Sequence, residues 1–118
     1  MDQAFLATIP YLRDLKESER ASLMHCIAPV GVAPEGGILF DVGEASDGAY
    51  IVRAGELHVE LPLPDGTHRV VARLGQGTLV GELSLIEHTP RTMRVRVMPG
   101  SQLYRIDRHR FTAMRQAG

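Results

Sequence analysis

Cysteine is nearly missing from this sequence, with Cys26 alone among 118 residues. One thiol excludes an internal disulfide and any metal or iron–sulfur site built from several cysteines of the chain. No apolar run approaches the roughly 18–20 residues of a membrane-spanning helix. The N-terminus carries acids at Asp2 and Asp14 and has no basic stretch leading into an apolar core, so it does not read as a secretory signal. The five histidines, His25, His58, His68, His88 and His109, show no metal-ligand spacing, and no Ser/His/Asp arrangement is legible. Linkers, repeats and low-complexity tracts are also absent. What is present is an ordinary globular composition, 44% apolar and 23% charged, which argues against disorder. Twelve glycines and seven prolines exceed average usage and point to many turns and an all-β body. The expectation is one domain, 1–118, of cytoplasmic type.

Residues 1–28 read as a helical lead-in. Leu12, Leu15, Leu23 and Ile27 recur at helical intervals, Ser18 before Glu19 is the expected N-cap, Pro10 splits off a short leading segment, and Pro29 ends the helix. From 30 to 106 the pattern becomes short strands punctuated by glycine. In the expected hairpin from Glu56 to Leu74, Leu57, Val59 and Leu61 alternate with Glu56, His58 and Glu60. Beyond the turn Pro64-Asp65-Gly66, Val70, Ala72 and Leu74 alternate with Arg69 and Arg73. Met93, Val95 and Val97 alternate with Arg94 and Arg96 in the same way. The body is therefore mainly β, an antiparallel jelly-roll barrel or double sheet, interrupted by a short helical turn over Glu82–Glu87. Asp107 caps a final amphipathic helix in 107–118, with Phe111 and Met114 on one side.

Charge is split along the chain. Residues 1–65 hold eleven acids and four bases, whereas residues 66–118 hold three acids and nine bases, all arginine. Arginine's planar fork suits phosphate, so the second half is a candidate anion binder. The plainer alternative is that these arginines lie on solvated strand faces opposite acids from the first half.

One stretch concentrates the chemistry. Gly81 opens the expected turn at Glu82-Leu83-Ser84, whose unpaired N–H groups suit an anion, and Ser84 adds a hydroxyl. Arg91 shares parity with Met93, Val95 and Val97, so it points inward, where a guanidinium requires an anionic partner. Glu82 is one such partner. The other reading is a cavity in which arginine holds a phosphate and glutamate accepts from a sugar hydroxyl. Spacing alone leaves the two open.

Two motifs carry a resemblance: Phe40-x-x-Gly43-Glu44-x-x-Asp47-x-x-Tyr50-Ile51-Val52-x-x-Gly55-x-x-x-Val59, and Gly81-Glu82-Leu83-x-Leu85-x-x-x-x-Pro90-Arg91-Thr92. Their order and separation resemble the cyclic nucleotide-binding domain of catabolite activator protein, of cyclic AMP-dependent kinase regulatory subunits and of cyclic nucleotide-gated channels. The resemblance implies a sensor that binds cyclic AMP or cyclic GMP, catalyses nothing and needs no cofactor or metal. It implies that Arg91 binds the cyclic phosphate and Glu82 the ribose 2′-hydroxyl. Gly81, Leu83 and Ser84 complete the phosphate cradle, and Thr92 stands where cyclic GMP-responsive members often carry threonine. Val80, Met93 and Arg94 depart from the aromatic and small residues usual there.

The partners implied are a cyclic nucleotide and an effector protein or fused output domain reading the C-terminal helix. A homo-oligomer is left open, and neither nucleic acid nor membrane is expected for this chain. The same fold without a ligand, acting as an interaction module with Glu82 and Arg91 paired, is the alternative. The family's lid helix would follow the helix at Asp107, beyond Gly118. Without it, cyclic AMP and cyclic GMP are expected to bind within about tenfold of each other.

Overall fold

The structure is a computed structural model, and it describes residues 2–46, 48–81 and 90–117. Among these, eight strands form two four-stranded antiparallel sheets. The strands are β1 (Ile27–Val30), β2 (Gly37–Phe40), β3 (Gly48–Ala54), β4 (Leu57–Pro62), β5 (His68–Leu74), β6 (Leu79–Val80), β7 (Arg94–Val97) and β8 (Gln102–Asp107). Sheet A has the order β1-β8-β3-β6 and sheet B the order β2-β7-β4-β5. They stack as a jelly roll. The helices α1 (Gln3–Leu6), α2 (Glu17–Leu23) and α3 (Arg108–Ala117) cover the outer face of sheet A.

Two apolar layers follow from side-chain alternation along the strands. Between the sheets lie Phe40, Val52, Leu57, Val95, Val97 and Leu103. On the other side of sheet A, Ala49, Ile51 and Ile106 meet Leu6, Ile9, Leu12, Leu23, Cys26 and Phe111. Sheet A is thus buried on both faces, which is why β3 reads as a nearly unbroken apolar run. Sheet B is buried on one face, and its strands alternate.

The lead-in is shorter in helix than its leucine spacing predicts. Helix α2 starts after Lys16, whose backbone N–H donates to Glu19 Oε1 at 2.8 Å, so the cap is at Lys16 rather than Ser18. A 3₁₀ turn over Met24–Cys26 ends it, and Ile27 already pairs with Ile106 in β1. Pro29 lies inside that strand, at the sheet edge, where its missing N–H costs no ladder bond. The expected boundary at residue 28 is corrected to 26 by this pairing.

Two bulges shape sheet B, and the second corrects an expectation. Ile38 faces Arg96 while Phe40 faces Val95, so Leu39 is an extra residue that turns Phe40 inward. Val59 faces Ala72 and Glu60 faces Val70, so Val71 is extra in β5. Val70 therefore joins the outer face with Glu60, 39% exposed, instead of sharing the inner face with Ala72 and Leu74. At the other end of the chain Asp107 caps α3 as expected, its Oδ2 accepting from the Arg110 N–H at 2.9 Å.

Candidate functional site

The two motifs meet where the sheets come together. The Arg91 N–H donates to the Glu44 carbonyl at 2.9 Å, and the Gly43 N–H donates to the Arg91 carbonyl at 2.8 Å. Asp41 adds a two-pronged bond to Arg94, 3.2 Å from Nε and 3.0 Å from Nη2. Residues 41–44 and 91–94 are thereby clamped side by side. The Arg94 guanidinium lowers the Asp41 carboxyl below its ordinary range, and Asp41 in turn raises Arg94. Arg94, a departure from the family pattern, is thus one jaw of this clamp.

Arg91 is 8% exposed, as its parity with Val95 and Val97 predicts. Its Nη2 donates to the Gly48 carbonyl at 2.8 Å, and its Cζ lies 4.0 Å from the centroid of the Phe40 ring. A cation over an aromatic face in a desolvated setting is worth on the order of 2 kcal/mol. The Phe40 ring in turn packs on Tyr50, centroids 6.1 Å apart. Gly81 also adjoins the guanidinium. A Cβ there would lie 2.5 Å from Arg91 Nη1, and the residue's φ of +75° is one that side chains rarely adopt. A small residue at 81 is therefore required for the arginine to reach past it.

Of the predicted site residues, Gly81 and Arg91 are brought together. Thr92 is exposed, on the opposite parity from Arg91. Glu82, Leu83 and Ser84 lie outside the described residues, as does the expected turn over Glu82–Glu87. Two contributors escaped sequence reasoning. Phe40 was visible only as the start of a motif, because its inward turn depends on the bulge at Leu39. Gly48 contributes a backbone carbonyl, which no side-chain pattern signals.

The arginine-rich half divides by partner. Arg96 Nε pairs with Glu60 Oε2 at 3.0 Å, Arg94 with Asp41, and Arg105 Nη1 with Asp107 Oδ1 at 3.2 Å. Acids from the first half thus neutralise β7, since β7 lies between β2 and β4. No cluster of three or more potential metal ligands exists among the described residues. No described helix is long and apolar enough to cross a membrane. Burial raises the Cys26 thiol above its ordinary range, which suits a core thiol rather than a nucleophile.

Comparison with known proteins places this geometry in context. The family described as "Cyclic nucleotide-binding domain" matches residues 32–117. The cAMP-dependent protein kinase regulatory subunit of Yarrowia lipolytica is 36% identical over 95 residues, 80% of this chain and 24% of that protein. Neuropathy target esterase sws of Drosophila persimilis is 32% identical over 80 residues, 68% of this chain but 6% of that protein. Among solved structures, the regulatory domain of Toxoplasma gondii PKA with cAMP has a TM-score of 0.84 at 26% identity, covering 95% of this chain and 42% of that one. The chain spans about a quarter of the length of the kinase regulatory subunit it matches.

Proposed function

The chain belongs to the cyclic nucleotide-binding domain family, and on that premise we propose that it binds cyclic AMP or cyclic GMP with Arg91 as the phosphate anchor. The observation that carries this reading is the setting of Arg91: buried, backed by Phe40, tied to Gly48 and given room by Gly81. A guanidinium held in place before the ligand arrives loses little freedom on binding, and its fork matches two phosphate oxygens. In this reading the N–H groups at Gly81, Leu83 and Ser84 share the phosphate, and Glu82 accepts from the ribose hydroxyl. Thr92, exposed on the opposite parity from Arg91, meets the base only where a kink at the strand start turns its hydroxyl inward.

A route to the C-terminal helix supports a regulatory role. Gly48, the acceptor for Arg91, faces Asp107 across the β3–β8 ladder, and Asp107 caps α3. A phosphate that draws Arg91 away from Gly48 acts on a strand position adjoining the helix cap. An effector protein or fused output domain would read the resulting shift in α3. The shift requires that ligand bind the two helix positions unequally. We assign no catalytic step to this chain.

The deciding measurement is calorimetric titration of the full chain with each cyclic nucleotide, before and after Arg91→Ala. Saturable binding is expected for the parent. The variant should lose about 2–5 kcal/mol of binding while its circular dichroism remains that of a β fold. Near-parental affinity in a folded Arg91→Ala chain overturns the assignment.

A further inference from the structure

Among the described residues, strand β5 is the margin of sheet B, paired with β4 on one side only. At seven residues it is longer than the other marginal strands, β1 and β2 with four each and β6 with two. Five of its residues, His68 to Val71 and Arg73, are exposed. Among the described residues no backbone hydrogen bond reaches it from the side away from β4. A long, open strand edge presents alternate N–H and C=O groups that can pair with another extended chain.

The charge on this edge selects the visitor. Arg69 and Arg73 make no ion pair or hydrogen bond with a described residue, in contrast to Arg94, Arg96 and Arg105. The hairpin's own acids are committed elsewhere, Glu56 to His58, Glu60 to Arg96 and Asp65 to the Thr67 N–H and hydroxyl in the turn. Because Val71 is extra, Arg69 falls opposite Leu61 and Arg73 opposite His58, three ladder positions apart. An odd separation sends the two guanidiniums to opposite faces of the sheet. Val70 and Val71, 39% and 49% exposed, lie between them. A second copy of β5 would bring arginines to arginines, so self-pairing is disfavoured.

We propose that the free edge of β5 docks an extended acidic segment of another protein as a fifth strand of sheet B. Carboxylates three residues apart on that segment reach Arg69 on one face and Arg73 on the other. Main-chain bonds supply affinity and the two arginines supply selectivity, as in other strand-addition interfaces. This interface is separate from the Arg91 site, so it stands or falls independently of nucleotide binding.

The test uses the isotopically labelled full chain and a blocked octapeptide of valine and threonine with glutamates at its third and sixth positions. Saturable shifts confined to β5 and its neighbours are expected below about 1 mM peptide, the weak end of useful affinity. Replacing both glutamates by glutamine, or moving them to the third and fifth positions, should weaken binding by about three- to tenfold at low salt. The double variant Arg69→Glu, Arg73→Glu should abolish the shifts while amide signals elsewhere stay in place. The proposal is overturned by absence of saturation, by shifts centred elsewhere, or by equal binding of the glutamine peptide. Self-association through β5 without peptide also overturns it, as does capture of phosphatidylserine vesicles in place of the peptide.

Discussion

Sheet A is sandwiched between helices and its partner sheet, whereas sheet B offers one face to solvent. In sheet A, neighbouring residues such as Ile51 and Val52 both have no exposed surface, one toward the helices and the other toward Phe40 and Leu57. In sheet B, Val95 and Val97 are buried while Arg94 and Arg96 reach Asp41 and Glu60 on the outer face. Apolar burial therefore holds sheet A, whereas the outer face of sheet B carries ion pairs beside exposed Ile38 and Val70. The site belongs to neither alone, because Arg91 leads into β7 of one sheet and bonds to β3 of the other.

The contrast is open to direct attack. Ile51→Ala should reduce stability by about 2–5 kcal/mol in urea unfolding, since it opens a void in the helix-facing layer. A cost below about 1 kcal/mol would mean that this layer is loosely packed. Gly81→Ala, at the seam between the sheets, should cost at least about 1 kcal/mol from its backbone strain and the contact with Arg91. It should also weaken cyclic AMP titration, and unchanged affinity would show that the guanidinium does not need that space.

The charged cap that joins β8 of sheet A to α3 responds to acid instead. Asp107 is lowered below its ordinary range, chiefly by the Arg110 N–H and also by Arg105. A lowered carboxyl stabilises the fold above its unfolded value and loses that contribution as pH falls through the folded value. Asp107→Asn should therefore melt below the parent at pH 7, with the gap closing as pH drops below about 4. A gap that widens on acidification reverses the sign and contradicts the cap. Smallest of all, Ile38→Ala on the outer face of sheet B, where Ile38 is 49% exposed, should change stability by no more than about 0.5 kcal/mol.

The same contrast explains what could be read from the residues alone. Period-two alternation exposed β4 and β7, and through parity it correctly sent Arg91 inward. Asp107 was legible as a cap because its chemistry is local. The start of β1 was not legible, because Leu23 and Ile27 keep helical spacing while Ile27 is claimed by Ile106 far along the chain. The bulges at Leu39 and Val71 were equally hidden, since an extra residue shows only when a partner strand skips it. For the candidate site, motif and parity pointed to Arg91 and Gly81, which the structure brings together. Phe40 and the Gly48 carbonyl depend on register and backbone, which leave no mark in composition.

Strand order also governs when this fold can come into being. Of the described pairings, only β4 with β5 joins strands consecutive in sequence; β1 and β3 both wait for β8. Closing such distant contacts costs loop entropy before burial returns any of it, so topologies of this kind fold slowly. On a ribosome delivering roughly 5–20 residues per second, the β4–β5 hairpin emerges seconds before Gln102–Asp107 can enter sheet A. During that interval Ile51 and Val52 have no strand beside them on the β8 side, and the apolar run that later lies buried on both faces is exposed. The nascent chain's period of greatest aggregation hazard is therefore set by the late arrival of its central strand.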